Sequence, residues 1–237
     1  MGELSDRDTP PHPTPLRRSA VPPSVSVAQM QDIDRTAIET LGIPRLLLME
    51  HAGLAVARSA QRLAPDTSTG ILVCCGMGFN GGDGLAAARH LYDWGYPVQI
   101  LLTGGADQLR NEPATYATIL QRLGLRLQTY DGSECGLAGY GLIIDALLGI
   151  GLCGAVREPT ASLIHRLNHS GRPIIAVDIP SGLDGDTGSI LGAAVRAAVT
   201  VTFGLPKRGC LVGDGPAHVG SLIVDGITIP RQLLTPP

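Results

Sequence analysis

Lysine is almost missing from this 237-residue sequence: of 18 basic residues Lys207 alone is a lysine, and the rest are arginines. That bias fits a GC-rich genome, and it makes Lys207 easy to follow. A surplus of positive charge is missing too, since 18 Lys plus Arg stand against 21 Asp plus Glu for a net charge of −3. Nothing is left over for counterion release on nucleic acid, so no nucleic-acid partner is expected and small molecules are. The five cysteines, Cys74, Cys75, Cys135, Cys153 and Cys210, are odd in number and contain no CxxC, which argues against a disulfide framework or a zinc site. Reduced thiols and a cytoplasmic location follow as expectations, with Cys74 and Cys75 serving as small buried hydrophobes. No apolar run approaches the roughly 20 residues that span a bilayer, so no membrane association is expected. The N-terminus has no apolar core segment and mixes acids with bases, unlike a secretory or transit peptide. Its prolines leave little to bury, so Met1 to Ser24 reads as a disordered tail ahead of one domain over 25–237.

What is present is a composition of 44% hydrophobic and 16% charged residues, that of a globular protein with a sizeable core. Val27 to Leu41 carries Met30, Ile33, Ala37 and Ile38 at helical spacing and stops at Gly42 and Pro44. Leu46 to Leu63 predicts a second helix with a small-residue face at Ala52, Gly53, Ala55 and Ala57, suited to close packing. Short apolar runs then recur at Gly70 to Cys75, Val98 to Leu102, Leu142 to Leu147, Ile174 to Ile179, Val199 to Phe203 and Leu222 to Val224. Runs without polar alternation predict strands buried on both faces. Helical patterns at Leu85 to Trp94, Thr115 to Leu123 and Ser162 to Leu167 lie between them, so the expected fold is a Rossmann-like three-layer α-β-α sandwich with a mostly parallel sheet.

Gly76, Gly78 and Gly81 satisfy G-x-G-x-x-G between the first strand and a helix, where small residues let backbone N–H groups approach an anion. A glycine-rich turn chosen only for its dihedrals is the plainer alternative. The acid that usually follows about 20 residues later is missing, because Leu101-Leu102-Thr103-Gly104 stands there, which disfavours a conventional NAD dehydrogenase. Asp145 closes one apolar run ahead of a second glycine-rich loop, and Asp178 sits in another run that ends in Pro180-Ser181-Gly182. Ligands in open parallel sheets bind beyond the carboxyl ends of strands, so both carboxylates are expected to converge with the first glycine loop. Loop capping is the alternative for either one alone.

The strings GFNGGDGLAAARHL, DALLGIGLCG and VDIPSGLDGDTG, with LMEHAG upstream and VTFGLPK downstream, resemble the NAD(P)H-hydrate epimerases, the YjeF N-terminal domain family. The resemblance runs in order from about residue 25 to the end. It implies a Rossmann-like fold, usually a homodimer, and interconversion of the R and S forms of NADHX and NADPHX, the hydrated reduced cofactors. A NAD(P)H-hydrate dehydratase is the implied functional partner. Carried over by position, Asn80, Gly81, Gly82 and Asp83 resemble the first substrate-binding loop, and Gly149, Ile150, Gly151, Leu152, Cys153, Gly154 and Ala155 the second. Asp178 matches the substrate-contacting aspartate, and Asn80, Asp145 and Ser181 match the ligands of a potassium ion. An amide oxygen, one carboxylate and a hydroxyl make a hard-oxygen set of low charge that suits a large monovalent cation. In the implied chemistry the hydrate's hydroxyl departs with help from the ring nitrogen, and water returns from either face. Asp178 is expected to protonate the departing hydroxyl and deprotonate the incoming water.

Two positions depart from the family's usual pattern: Phe79 replaces an Asn, and His51 stands where Asn usually follows Met-Glu. Phe79 either stacks on the substrate's ring or shields the loop. His51 reads as a hydrogen-bonded core or interface histidine. Lys207 either meets a phosphate or is a plain surface lysine. Some relatives in the family are binding or scaffold proteins without catalysis, and this is the second reading. The joint presence of Asn80, Asp145, Asp178 and Ser181 favours the enzyme.

Overall fold

The computed structural model describes residues 23–133 and 136–235. The expected tail, apart from Pro23 and Ser24, lies outside the described residues, as does Cys135. Seven strands form one sheet in which every pairing is parallel: β1 (Ile71–Cys75), β2 (Val98–Leu102), β3 (Leu127–Thr129), β4 (Leu142–Ala146), β5 (Ile174–Val177), β6 (Val199–Phe203) and β7 (Ser221–Asp225), in the order β3-β2-β1-β4-β5-β6-β7. β1 and β4 are completely buried along their length, as unbroken apolar runs require in a sheet covered on both sides. Alternate residues feed two cores. Ile71, Val73 and Cys75 pack with α2 (Arg45–Leu63), α3 (Phe79–Asp93) and α4 (Asn111–Arg122), whereas Leu72 and Cys74 face α5 (Thr160–His169) through Leu163, Ile164 and Leu167.

The small-residue face of α2 does what its composition suggests. A Cβ placed on Gly53 would lie 2.4 Å from the Ala86 Cβ, so α2 and α3 touch at a distance that only glycine permits. Ahead of α2 lies α1 (Val27–Arg35), started by a capping box in which Ser26 and Gln29 satisfy each other's backbone N–H groups. The helical pattern read as far as Leu41 changes at Thr36 to a π-helical turn, Thr36–Thr40, before Gly42 turns the chain at φ +72°. Val25 forms an isolated parallel bridge to Lys207, which ties the start of the domain to the loop after β6.

Two expectations need correction. β3 was not anticipated, because its three residues are half-buried or exposed and Gln128 and Thr129 break any apolar run; its pairing with β2 makes it a strand. The helix expected from Leu85 begins at Phe79, so Asn80, Gly81, Gly82 and Asp83 form the first turns of α3 rather than a free loop.

Candidate active site

The strand order reverses between β1 and β4, and a cavity of about 920 Å³ opens beyond the carboxyl ends of the strands at that point. Its walls come from α1 (Asp34), the start of α2 (Arg45), the start of α3 (Phe79, Asn80, Asp83), the segment Leu147–Cys153, Asp178 and Lys207. Of the expected substrate contacts, Asn80, Asp83, Gly149, Ile150, Gly151, Leu152, Cys153 and Asp178 are thus brought together. Gly81 and Gly82 lie beneath the surface, where added Cβ atoms would meet the Gly76 carbonyl oxygen at 1.9 Å and the Met49 methyl at 2.6 Å. They let α3 sit close to its neighbours instead of lining the cavity. Gly154 and Ala155 are exposed and stand outside the lining.

Asp178 follows β5 directly and holds a left-handed backbone at φ +65°, a conformation that costs a non-glycine residue about 1 kcal/mol or more. The protein supports it with a one-sided set of hydrogen bonds. Its Oδ1 accepts from Thr202 Oγ1 at 3.2 Å, from the Phe203 N–H at 3.1 Å and from the Lys207 ammonium. Lys207 is 1% exposed, and its Nζ also donates to the Phe203 carbonyl at 2.9 Å and to Thr202 Oγ1 at 3.3 Å. Both earlier readings of Lys207, phosphate contact and surface lysine, give way to a buried ion pair with Asp178. The two are brought together because β5 and β6 are neighbours, with the Asp178 N–H donating to the Val201 carbonyl.

Besides the exposed Glu39, two other carboxyls line the cavity, Asp34 and Asp83, and neither accepts a hydrogen bond from the described residues. Burial pushes Asp34 up to about 6, the charge of Asp178 adding to this while Lys207 and Arg45 oppose it. Asp83 is raised well above the ordinary carboxylate range by burial and then by the charges of Asp178 and Asp34. Asp34 was not anticipated, and the only signal available was its place one turn before Ile38 on the inward side of α1. At the mouth, the Arg45 guanidinium lies 4.3 Å from the centre of the exposed Phe79 ring. Phe79 therefore has a protein partner and covers the start of α3. His51 is half-buried on α2, lies off the cavity, and makes no side-chain hydrogen bond among the described residues, unlike the hydrogen-bonded histidine expected.

Below the cavity floor, Asp145 and Ser181 are completely buried. Asp145 accepts from Ser181 Oγ at 2.6 Å, from the Ser181 N–H at 2.9 Å and from the Leu147 N–H at 3.3 Å, while Ser181 Oγ accepts from the Leu148 N–H at 2.8 Å. Burial raises the Asp145 carboxyl to about 6 against those bonds, and no cationic side chain among the described residues compensates its charge. Asn80 stands over the same segment, in reach of Gly149, with its Nδ2 buried and unpartnered. Exchanging the two ends of that amide would turn Oδ1 into the same space. One uncompensated carboxylate, a hydroxyl and an amide with a vacant bonding direction fit a monovalent cation.

The chain as a whole is similar to known proteins. A family model described as YjeF-related protein N-terminus matches residues 45–209. A protein of Weissella koreensis named NAD(P)H-hydrate epimerase is 38% identical over 89% of this chain and 94% of its own length. One of the same name from Limosilactobacillus fermentum is 39% identical over 85% and 95%. The bifunctional NAD(P)H-hydrate repair enzyme Nnr of Pyrobaculum aerophilum is 43% identical over 88% of this chain, which spans only 42% of that protein. The crystal structure of the yeast protein ynu0 superposes with a TM-score of 0.78 at 26% identity, covering 89% of this chain and 91% of that one. With a family model over most of its length and near full-length relatives at this identity, the chain belongs to the family of YjeF-related protein N-termini.

Proposed function

We propose that this chain interconverts the R and S hydrates of NADH and NADPH as a step in nicotinamide nucleotide repair. The observation that carries the reading is Asp178, held on one oxygen by Lys207, Thr202 and the Phe203 N–H at the wall of a cavity shared with Asn80, Asp83 and Gly149. In the hydrate, the ring nitrogen's lone pair forms a C=N bond as the C–O bond breaks, and the departing hydroxyl needs a proton. Asp83 supplies it: it accepts no hydrogen bond from the described residues, and burial raises its carboxyl well above the ordinary carboxylate range. Water then attacks the planar cation, its proton passes to Asp178, and the C=N electrons return to nitrogen. In this reading Asp178 acts as the base towards water, and Asp83 shares with it the acid role expected of Asp178. Exchange with solvent restores both groups.

Potassium belongs to the same proposal, held by Asn80, Asp145 and Ser181; when bound it supplies the positive charge that the buried Asp145 carboxylate lacks. The homodimer, the cytoplasmic location and a NAD(P)H-hydrate dehydratase as functional partner are further parts of it. The direct test is to incubate the chain with purified R-NADPHX and follow the S form by chromatography against the spontaneous rate. An unaccelerated reaction in potassium buffer would leave the non-catalytic binding reading.

A further inference from the structure

Lys207 is a costly residue to bury, and its surroundings show what offsets that cost. Its three ammonium protons meet three acceptors: Asp178 Oδ1, the Phe203 carbonyl and Thr202 Oγ1. Its backbone is fixed as well, since the Val25 N–H donates to the Pro206 carbonyl at 2.9 Å and the Arg208 N–H donates to the Val25 carbonyl at 2.9 Å. An ion pair serving stability alone has no reason to load every donor onto one carboxylate oxygen. Here Thr202, Phe203 and Lys207 all bond Oδ1, and Oδ2 receives no hydrogen bond from the described residues. The left-handed backbone of Asp178 adds to the case, because strain of this kind persists where the surroundings hold a residue in a working orientation.

We propose that Lys207 is a positioning residue for the reaction: by clamping Oδ1 of Asp178 it fixes the orientation of the carboxylate and leaves Oδ2 as the oxygen that takes the proton from water. The proposal rests on the epimerase reading and adds a role for a residue that does not itself meet the substrate. It also distinguishes Asp178 from Asp34 and Asp83 in the same cavity. The cation sits on Asp178, whereas Asp34 and Asp83 have no such partner to hold their charge.

The test compares Lys207→Met with the wild-type chain in potassium buffer, using R-NADPHX and measuring kcat and KM against pH together with the melting temperature. The expected result is a kcat about tenfold lower or worse, because a freed carboxylate loses its aim, with KM within about threefold. The groups facing this pair are Asp34 of α1, Asp83 of α3, Arg45 of α2 and the Cys210 thiol. None of them changes in the variant. A stability loss with wild-type kcat and KM in the folded fraction would reduce Lys207 to a structural residue and overturn the proposal.

Should the single variant fail to fold, Lys207→Met combined with Asp178→Asn removes both charges and carries the test. Lys207 acting through Asp178 predicts a double variant no slower than Asp178→Asn alone, and a further tenfold loss would contradict it. Asp178→Asn also separates the two levels of the claim. If that variant turned over at the wild-type rate, the role of Asp178 in the proposed function would fail. A fully active Lys207→Met beside an inactive Asp178→Asn overturns only the role of Lys207.

Discussion

Asp34 has a measurable consequence apart from catalysis. Its carboxyl is raised from 3.8 to about 6 by burial, so between those values the folded chain holds the proton more tightly than the unfolded chain does. Stability is therefore lost as pH rises through that window, and above it the ionised group is a full liability. Asp34→Asn should stabilise the protein at pH 8 by about 1–2 kcal/mol, a figure discounted for partial exposure, and by little at pH 4. Denaturant melts at the two pH values check this, and an equal effect at both would contradict it. Residues of this kind were the hardest to read in the sequence. Asn80, Asp83, Gly149 and Asp178 sit in dense motifs whose order pointed to the cavity. Asp34 sits in an ordinary string and Lys207 at the end of VTFGLPK, where nothing marks its partner, and their roles come from the rotation of α1 and from the pairing of β5 with β6. Chain order does not encode either.

At the scale of the element, α3 shows how a familiar pattern hides two kinds of glycine. Gly81 faces the backbone of Gly76, with an added Cβ at 1.9 Å from the carbonyl oxygen, whereas a Cβ on Gly78 would meet nothing within 4 Å. Gly81→Ala should force α3 off the end of β1 at a cost of about 2 kcal/mol or more. Gly78→Ala, at an N-cap with no side-chain bond, should cost no more than about 1 kcal/mol. Equal losses in the two variants would show that the pattern matters for dihedrals alone, the plainer alternative raised at the outset. The buried strands were legible for a simple reason: each is an unbroken apolar run. β3 was not, since an edge strand with two exposed residues carries no such signal. The early start of α3 was hidden because glycines suggest a loop, although here they serve close packing inside a helix.

At the scale of the whole molecule, three consequences converge on the place where the strand order turns. The cavity opens there, the Asp178–Lys207 pair closes one wall, and the buried Asp145 carboxylate lies below the floor. Replacing potassium by tetramethylammonium should lower the melting temperature by roughly 2–4 °C per kcal/mol of lost compensation at Asp145. Superimposable melting curves in the two buffers would count against a cation at Asn80, Asp145 and Ser181. The α/β class and the position of the cavity were both legible from alternating runs and from Asp145 and Asp178 at strand ends, because a parallel sheet places all such ends on one side. The central claim is that Asp178 in this cavity exchanges the proton that epimerisation requires. The measurement that reaches it most directly is the conversion of R-NADPHX to the S form by wild-type chain and by Asp178→Asn, with folding checked by circular dichroism. The expected result is wild-type conversion well above the spontaneous rate and a folded Asp178→Asn slower by at least roughly a hundredfold; equal rates for the two folded proteins would contradict it.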